Sequence, residues 1–157
     1  MRVVFSTRAY AGLLAETTEK ITTETGGLLL GVVQDDTWYI IEVIDPGPKS
    51  VFEVAYFEYD QKYTQHLINK VANLYKCKLD LIGLWHRHPG SFDQFSSTDD
   101  GTNAKYAHMR KEGAISGLVN IDPSFRLTMY HVEQPCRYRK VPYEVGSSSK
   151  RAFATSS

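Results

Sequence analysis

A chain of 157 residues fits one domain and is long enough to enclose a core. Its makeup, 42% hydrophobic and 23% charged, is that of an ordinary soluble globular protein. Eighteen basic against eighteen acidic side chains exclude a nucleic-acid binder built on bulk charge, and no apolar run approaches the roughly 20 residues that span a bilayer.

Cys77 and Cys136 have no paired spacing, which excludes a disulfide framework or a zinc knuckle and leaves two ordinary thiols. The apolar part of Met1 to Phe5 is too short for a secretion signal, so a cytoplasmic location is expected. Basic residues gather at Arg137, Arg139, Lys140, Lys150 and Arg151, as on a solvated face or tail.

Val3 to Phe5 reads as a short strand, and Ser6 or Thr7 can cap the helix that follows. In that helix Tyr10, Leu13, Leu14, Thr17 and Ile21 fall at spacings of three and four, one buried stripe. Thr22-Thr23 ends it. Glu24 to Val33 then reads as a central strand, whose unbroken Leu28-Leu29-Leu30 suits burial on both faces. Glu24 stands at its beginning, where an exposed strand-end carboxylate is the ordinary expectation. Gln34 to Thr37 is a hairpin turn, Trp38 to Ile44 the returning strand, and Asp45-Pro46-Gly47-Pro48 a stop.

Phe52 to Phe57 is a further strand candidate. Asp60 caps a helix predicted to run to about Lys76, with Leu67, Ile68, Val71, Leu74 and Tyr75 as its core stripe and His66 at the boundary or surface. Leu79 to His88 is a buried strand, ended by Pro89-Gly90. Asp99 to Gly113 reads as a helix containing a structural His108 and stopped by glycine. Ala114 to Ile121 and Phe125 to Val132 form an antiparallel pair around the turn Asp122-Pro123-Ser124, and Tyr138 to Val145 adds an edge strand. The domain is thus expected over 1–145. Residues 146–157 have the composition of a disordered tail.

The chemistry concentrates in Trp85 to Asp99. On a strand, residues two apart share a face, so His86 and His88 project together while Arg87 points the other way. Ser96 and Asp99 are three apart at the start of a helix and can be aimed together. Two imidazoles and a carboxylate with a hydroxyl alongside suit a catalytic zinc site, which keeps one position open for water. Asp100, three after Ser97, and Asp93 in the loop are alternative carboxylates. Phe92 and Phe95 either contact a ligand or prop the loop against the domain.

The pattern His-x-His-x(7)-Ser-x-x-Asp resembles the JAMM (JAB/MPN) metallopeptidase motif at His86, His88, Ser96 and Asp99. The stretch Glu24-Thr25-Gly26-Gly27-Leu28-Leu29-Leu30-Gly31 resembles that family's upstream glutamate element. Arg87 departs from the small hydroxyl residue often found between the family's histidines.

The resemblance implies an α/β, single-domain, three-layer MPN/JAB-like fold of cytidine-deaminase-like architecture: a mixed central sheet with about three helices. It further implies one Zn2+ per chain on His86, His88 and Asp99, Glu24 as general base toward water, and Ser96 as oxyanion stabiliser. The expected substrate is a ubiquitin-like protein or its conjugates, cut at the amide bond after its C-terminus; conjugating enzymes of the same pathway are possible partners. Three readings compete: a hydrolase of small peptide, amino-acid or sulfur-carrier adducts, a non-catalytic scaffold, and a structural zinc domain. The last lacks the fourth protein ligand that closed sites have. Neither nucleic acid nor membrane is an expected partner, and the oligomeric state is open.

Overall fold

The computed structural model describes residues 1–19, 22–48, 50–52, 57–58, 60–75 and 77–146. Their order is β1 (Arg2–Phe5), α1 (Thr7–Glu19), β2 (Thr25–Gln34), β3 (Thr37–Ile44), β4 (Val51–Phe52), β5 (Phe57–Glu58), α2 (Gln61–Ala72), β6 (Asp80–Arg87), α3 (Ser97–His108), β7 (Ala114–Asn120), β8 (Arg126–Glu133), β9 (Arg137–Val141) and β10 (Tyr143–Val145). Eight strands form one sheet in the order β10-β1-β3-β2-β6-β7-β8-β9, and β4 and β5 form a separate pair. The sheet is mixed: β1 runs parallel to β10 and β3, β6 runs parallel to β7, and the other pairs are antiparallel.

Alternation along β2 explains the three layers. Leu29 joins a core with Phe5, Trp38, Ile82 and Trp85, covered by Ala9 and Leu13 of α1. Leu28 and Leu30 join the opposite core with Ile41, Ile44 and Leu84, covered by Val71 of α2 and Tyr106 of α3. A strand buried on both faces reads as a continuous apolar run, as the leucines do. The expected α/β architecture, a mixed sheet with about three helices, is what the described residues form, with three helices among them.

Local chemistry sets the element ends. Ser6 Oγ accepts from the Ala9 amide at 3.0 Å and starts α1, as one of the two predicted caps. Asp35 and Asp36 take positive φ (48° and 61°), so the β2–β3 hairpin closes through a tight two-residue turn. Gly27 is required by close approach: a Cβ there would sit 2.3 Å from the Ile44 carbonyl oxygen and 2.8 Å from Trp85 Nε1. Asp60 caps α2 by accepting from the Tyr63 amide at 3.1 Å.

Four expectations are corrected. The strand candidate 52–57 is two short strands facing each other, with 53–56 outside the described residues. The second helix ends at Ala72, so Leu74 leaves the predicted stripe and is exposed, while the Tyr75 hydroxyl turns in to bond Glu42. The third helix spans Ser97–His108 rather than 99–113. It starts two residues earlier than predicted, capped by Ser96, and Gly113, at φ 85°, ends the turn beyond it.

The segment Tyr138 to Val145 is two strands broken at Pro142. The pair β9 and β10 lie at opposite ends of the sheet order although one residue joins them. That residue spans only a few ångströms, so the sheet must curl until its edges meet there. Pro142 has no N–H to donate; its carbonyl accepts from the Val3 amide at 2.9 Å. Gly146 still pairs, donating to Phe5 O at 3.2 Å, and 147–157, with Lys150 and Arg151 of the basic group, lie outside the described residues, as does Ile21. Among the described residues no helix is long and apolar enough to cross a membrane.

Candidate metal centre

Three neighbouring segments bring the predicted site residues to one end of β6. In the antiparallel β2–β6 pair Gly26 faces His86 and Thr25 faces Arg87. Continuing that register puts Glu24, just ahead of β2, beside His88. On the other side β7 runs parallel to β6, and its Val119 carbonyl accepts from the His88 amide at 3.1 Å, extending the pairing past the strand end. The start of α3 supplies Asp99.

The resulting cluster is compact and nearly dry. His86 Nδ1 lies 2.8 Å from Asp99 Oδ1, and His88 Nε2 lies 3.1 Å from Asp99 Oδ2. Glu24 Oε1 is 3.9 Å from His88 Nε2. The side chains of His88 and Asp99 are each 6% exposed, that of His86 13% and that of Glu24 15%. Asp99 Oδ2 also accepts from the Ser96 amide and hydroxyl, both at 2.8 Å, while Ser96 Oγ accepts from the Asp99 amide at 3.2 Å. Spacing of three here therefore has a local cause that sequence reading missed. Ser96 and Asp99 form a capping box, which occupies orphan N–H groups of α3 and locks the carboxylate in place.

The charges follow from burial and partners. Burial opposes ionisation of Asp99, yet hydrogen bonds from both histidines, the charge of His86 and the Ser96 amide hold its carboxyl far below the usual range. Burial likewise disfavours His88 as a cation, but Asp99 and the charge of Glu24 outweigh it and raise its pKa. For Glu24 burial dominates and raises the carboxyl; His88 opposes it, Asp99 adds to it and His86 opposes it.

A second support lies behind His88. The Phe92 carbonyl accepts a hydrogen bond from the His88 ring, and buried Asn120, at the end of β7, donates through Nδ2 to that same carbonyl. Partners of this kind orient ligating imidazoles. Asn120 was missed in the sequence, where its signal is an amide closing a mostly apolar strand next to the strand of His86.

The alternative carboxylates go elsewhere. Asp100 Oδ1 accepts from the Tyr138 hydroxyl at 2.6 Å, and Asp93 pairs with Arg126 at 2.9 Å. Phe95 packs on Tyr138 and Tyr130, with ring centroids 4.9 and 5.4 Å away, and so props the loop, whereas Phe92 is 74% exposed. His66 and His108 are on the surface, and Cys77 and Cys136 are free thiols.

In kind, the donor set fits zinc: two imidazoles and one carboxylate. In spacing it is slightly contracted. Tetrahedral donors at zinc–ligand lengths of 2.0–2.1 Å stand about 3.3–3.4 Å apart, against 2.8 and 3.1 Å here. Among the described residues no three His, Cys, Asp or Glu side chains already stand at ligand spacing around one point. To reach that spacing, the His86–Asp99 and His88–Asp99 contacts have to lengthen by a few tenths of an ångström.

The sequence matches a family model described as prokaryotic homologues of the JAB domain over residues 6–131, a span that contains Glu24 and the whole His86–Asp99 segment. No curated protein matches it. Among solved structures, the solution structure of protein DSY2949 from Desulfitobacterium hafniense is similar, with a TM-score of 0.68 at 12% identity over 92% of each chain. At that identity the fold is what the two share.

Proposed function

The chain belongs to the family of prokaryotic homologues of the JAB domain, and from that premise we propose that it is a zinc-dependent peptidase cutting the amide bond after the C-terminus of a ubiquitin-like protein. The observation that carries the hydrolytic part is the convergence of His86, His88 and Asp99 within 3.1 Å contacts, with the Glu24 carboxylate 3.9 Å from His88. Zinc held by His86, His88 and Asp99 would supply Lewis acidity toward the scissile carbonyl and toward water.

Glu24 handles the proton. As water adds to the amide carbon, Glu24 takes its proton; as the C–N bond breaks, Glu24 returns that proton to the departing amine. Partial burial raises the proton affinity of this carboxylate, which suits a group that must both accept and donate near neutrality. Asp99 stays ionised throughout, held by His86, His88 and the cap of α3. Ser96 Oγ donates to Asp99, so its hydroxyl has to turn away from Asp99 before it can meet an oxyanion.

The substrate class comes from the likeness to the JAMM motif. Phe92, exposed on the loop next to His88, would be a contact for an incoming extended tail. The test is cleavage of a ubiquitin-like protein fused through its C-terminus to a reporter amine, with and without a zinc chelator and with Glu24→Gln alongside. Chelator-sensitive cleavage, lost in the variant, is the expected result. Zinc binding without cleavage of such fusions would move the substrate to small peptide or sulfur-carrier adducts. A protein that binds no zinc overturns the proposal.

A further inference from the structure

Between the two histidines, on the opposite side of β6, Arg87 is fully buried. Its Nη2 donates to the Thr23 carbonyl, while its Nε and Nη1 are buried with no hydrogen-bond partner among the described residues. A guanidinium carries five donors in a rigid fork and does not shed its charge. Burying one with donors unmatched weakens a fold, and an apolar side chain would pack the same strand–helix interface better. Stability is a weak account of it, and its contacts give a better one.

Thr25 lies directly opposite Arg87 in the β2–β6 pair, so the two share a face, away from the histidines. Thr25 is itself buried, and its hydroxyl donates to Glu16 Oε1 of α1 at 3.2 Å. The charge of Glu16 acts on Arg87 as well. Glu24 therefore has a tether on each side: the Thr23 carbonyl tied to Arg87, and Thr25 tied to Glu16. Glu24 itself lies outside β2, where the ladder no longer holds the backbone.

We infer that Arg87 is a positioning residue for Glu24: from the back of the ligand strand it pins the Thr23 carbonyl and so fixes the backbone from which the Glu24 carboxylate reaches toward His88. The inference rests on the peptidase reading for its consequence in catalysis, and on geometry alone for the clamp. A misplacement of about 1 Å in a reacting group costs on the order of 100-fold in rate.

The experiment compares Arg87→Met and Arg87→Lys in the full chain by zinc titration, steady-state kinetics on the fused reporter, and amide hydrogen exchange. For Arg87→Met the expected result is an unchanged or higher Tm, zinc affinity within about twofold, and kcat lowered about 10- to 100-fold at unchanged KM. Arg87→Lys, whose ammonium can still donate to Thr23, recovers part of kcat. Exchange of amides 23–26 speeds up in Arg87→Met while that of 97–100 stays as it is. Full kcat in Arg87→Met, or a kcat loss that follows a loss of zinc affinity, overturns the inference.

If the wild-type protein cleaves nothing, the peptidase reading fails on its own and the clamp is judged by exchange: faster at 23–26 supports it, unchanged overturns it. If Arg87→Met does not fold, Thr25→Val, which cuts the other tether, is compared with Arg87→Lys; exchange at 23–26 must rise in the first and rise less in the second. Equal protection in both overturns the clamp.

Discussion

The two faces of the end of β6 treat buried polarity in opposite ways. On the front, His86 and His88 meet Asp99, Asp99 meets Ser96, and the Phe92 carbonyl receives both His88 and Asn120. On the back, Arg87 keeps one bond, to Thr23, and leaves Nε and Nη1 without partners among the described residues. The front is a network whose members neutralise one another's desolvation. The back answers the charge of Arg87 only with the Thr23 carbonyl and the field of Glu16, and what it gains is a fixed position for Glu24. Damage to the front should therefore lower stability and function together, and damage to the back should lower function alone.

The largest expected effect is at the junction of the front network. Asp99→Ala removes a proposed ligand, leaves two buried imidazoles without their carboxylate and breaks the cap of α3. Zinc affinity should fall more than about 100-fold, beyond the usual loss for a supporting contact. The metal-free protein should lose about 2–4 kcal/mol, from the cap and the unsatisfied groups together, measured by denaturant unfolding. Retained zinc binding would remove Asp99 from the ligand set.

Glu24→Gln separates chemistry from stability. Cleavage should drop about 10²- to 10⁴-fold while zinc titrations stay the same. Because burial raises the Glu24 carboxyl in the folded state, its ionisation opposes folding above the ordinary carboxylate range. The glutamine variant should accordingly gain in stability over wild type at neutral pH and show no gain in acid, where Glu24 is protonated whether folded or unfolded. A gain that grows as the pH falls contradicts the assignment.

Ser96→Ala should cost about 0.5–2 kcal/mol through the lost cap, read in thermal unfolding. If its hydroxyl does turn toward an oxyanion, kcat falls beyond what the stability loss explains. The smallest effect belongs to Asp100→Asn, which weakens the Tyr138 contact by about 1 kcal/mol and should leave zinc affinity alone. A loss of zinc affinity in Asp100→Asn would mean that the carboxylate register is Asp100 rather than Asp99.

Much of this was legible in the residues. Leu13 and Thr17 of the α1 stripe, the Leu28 to Leu30 run and the turn at Asp35-Asp36 each declare themselves locally, because a side-chain period or a backbone preference is a local property; Ala9, which the stripe left out, is buried with them. The end of α2 was misread because Leu74 continues a stripe that the backbone has already left. The capping box went unnoticed because its two residues were already claimed by the ligand motif.

What the sequence determined by itself is the kind of donor and its spacing: two histidines on one face of a strand, a serine and an aspartate one helical turn apart, and a glutamate leading into an apolar strand. What only the tertiary structure decided is who meets whom across the sheet. Segments more than 60 residues apart in the chain, 23–25 and 87, become neighbours through strand pairing. Two strands joined by a single proline part to opposite edges because the sheet curls round to meet itself. Such long-range pairings are chosen by the burial of both sheet faces at once, a quantity that belongs to the whole fold and to no stretch of sequence within it.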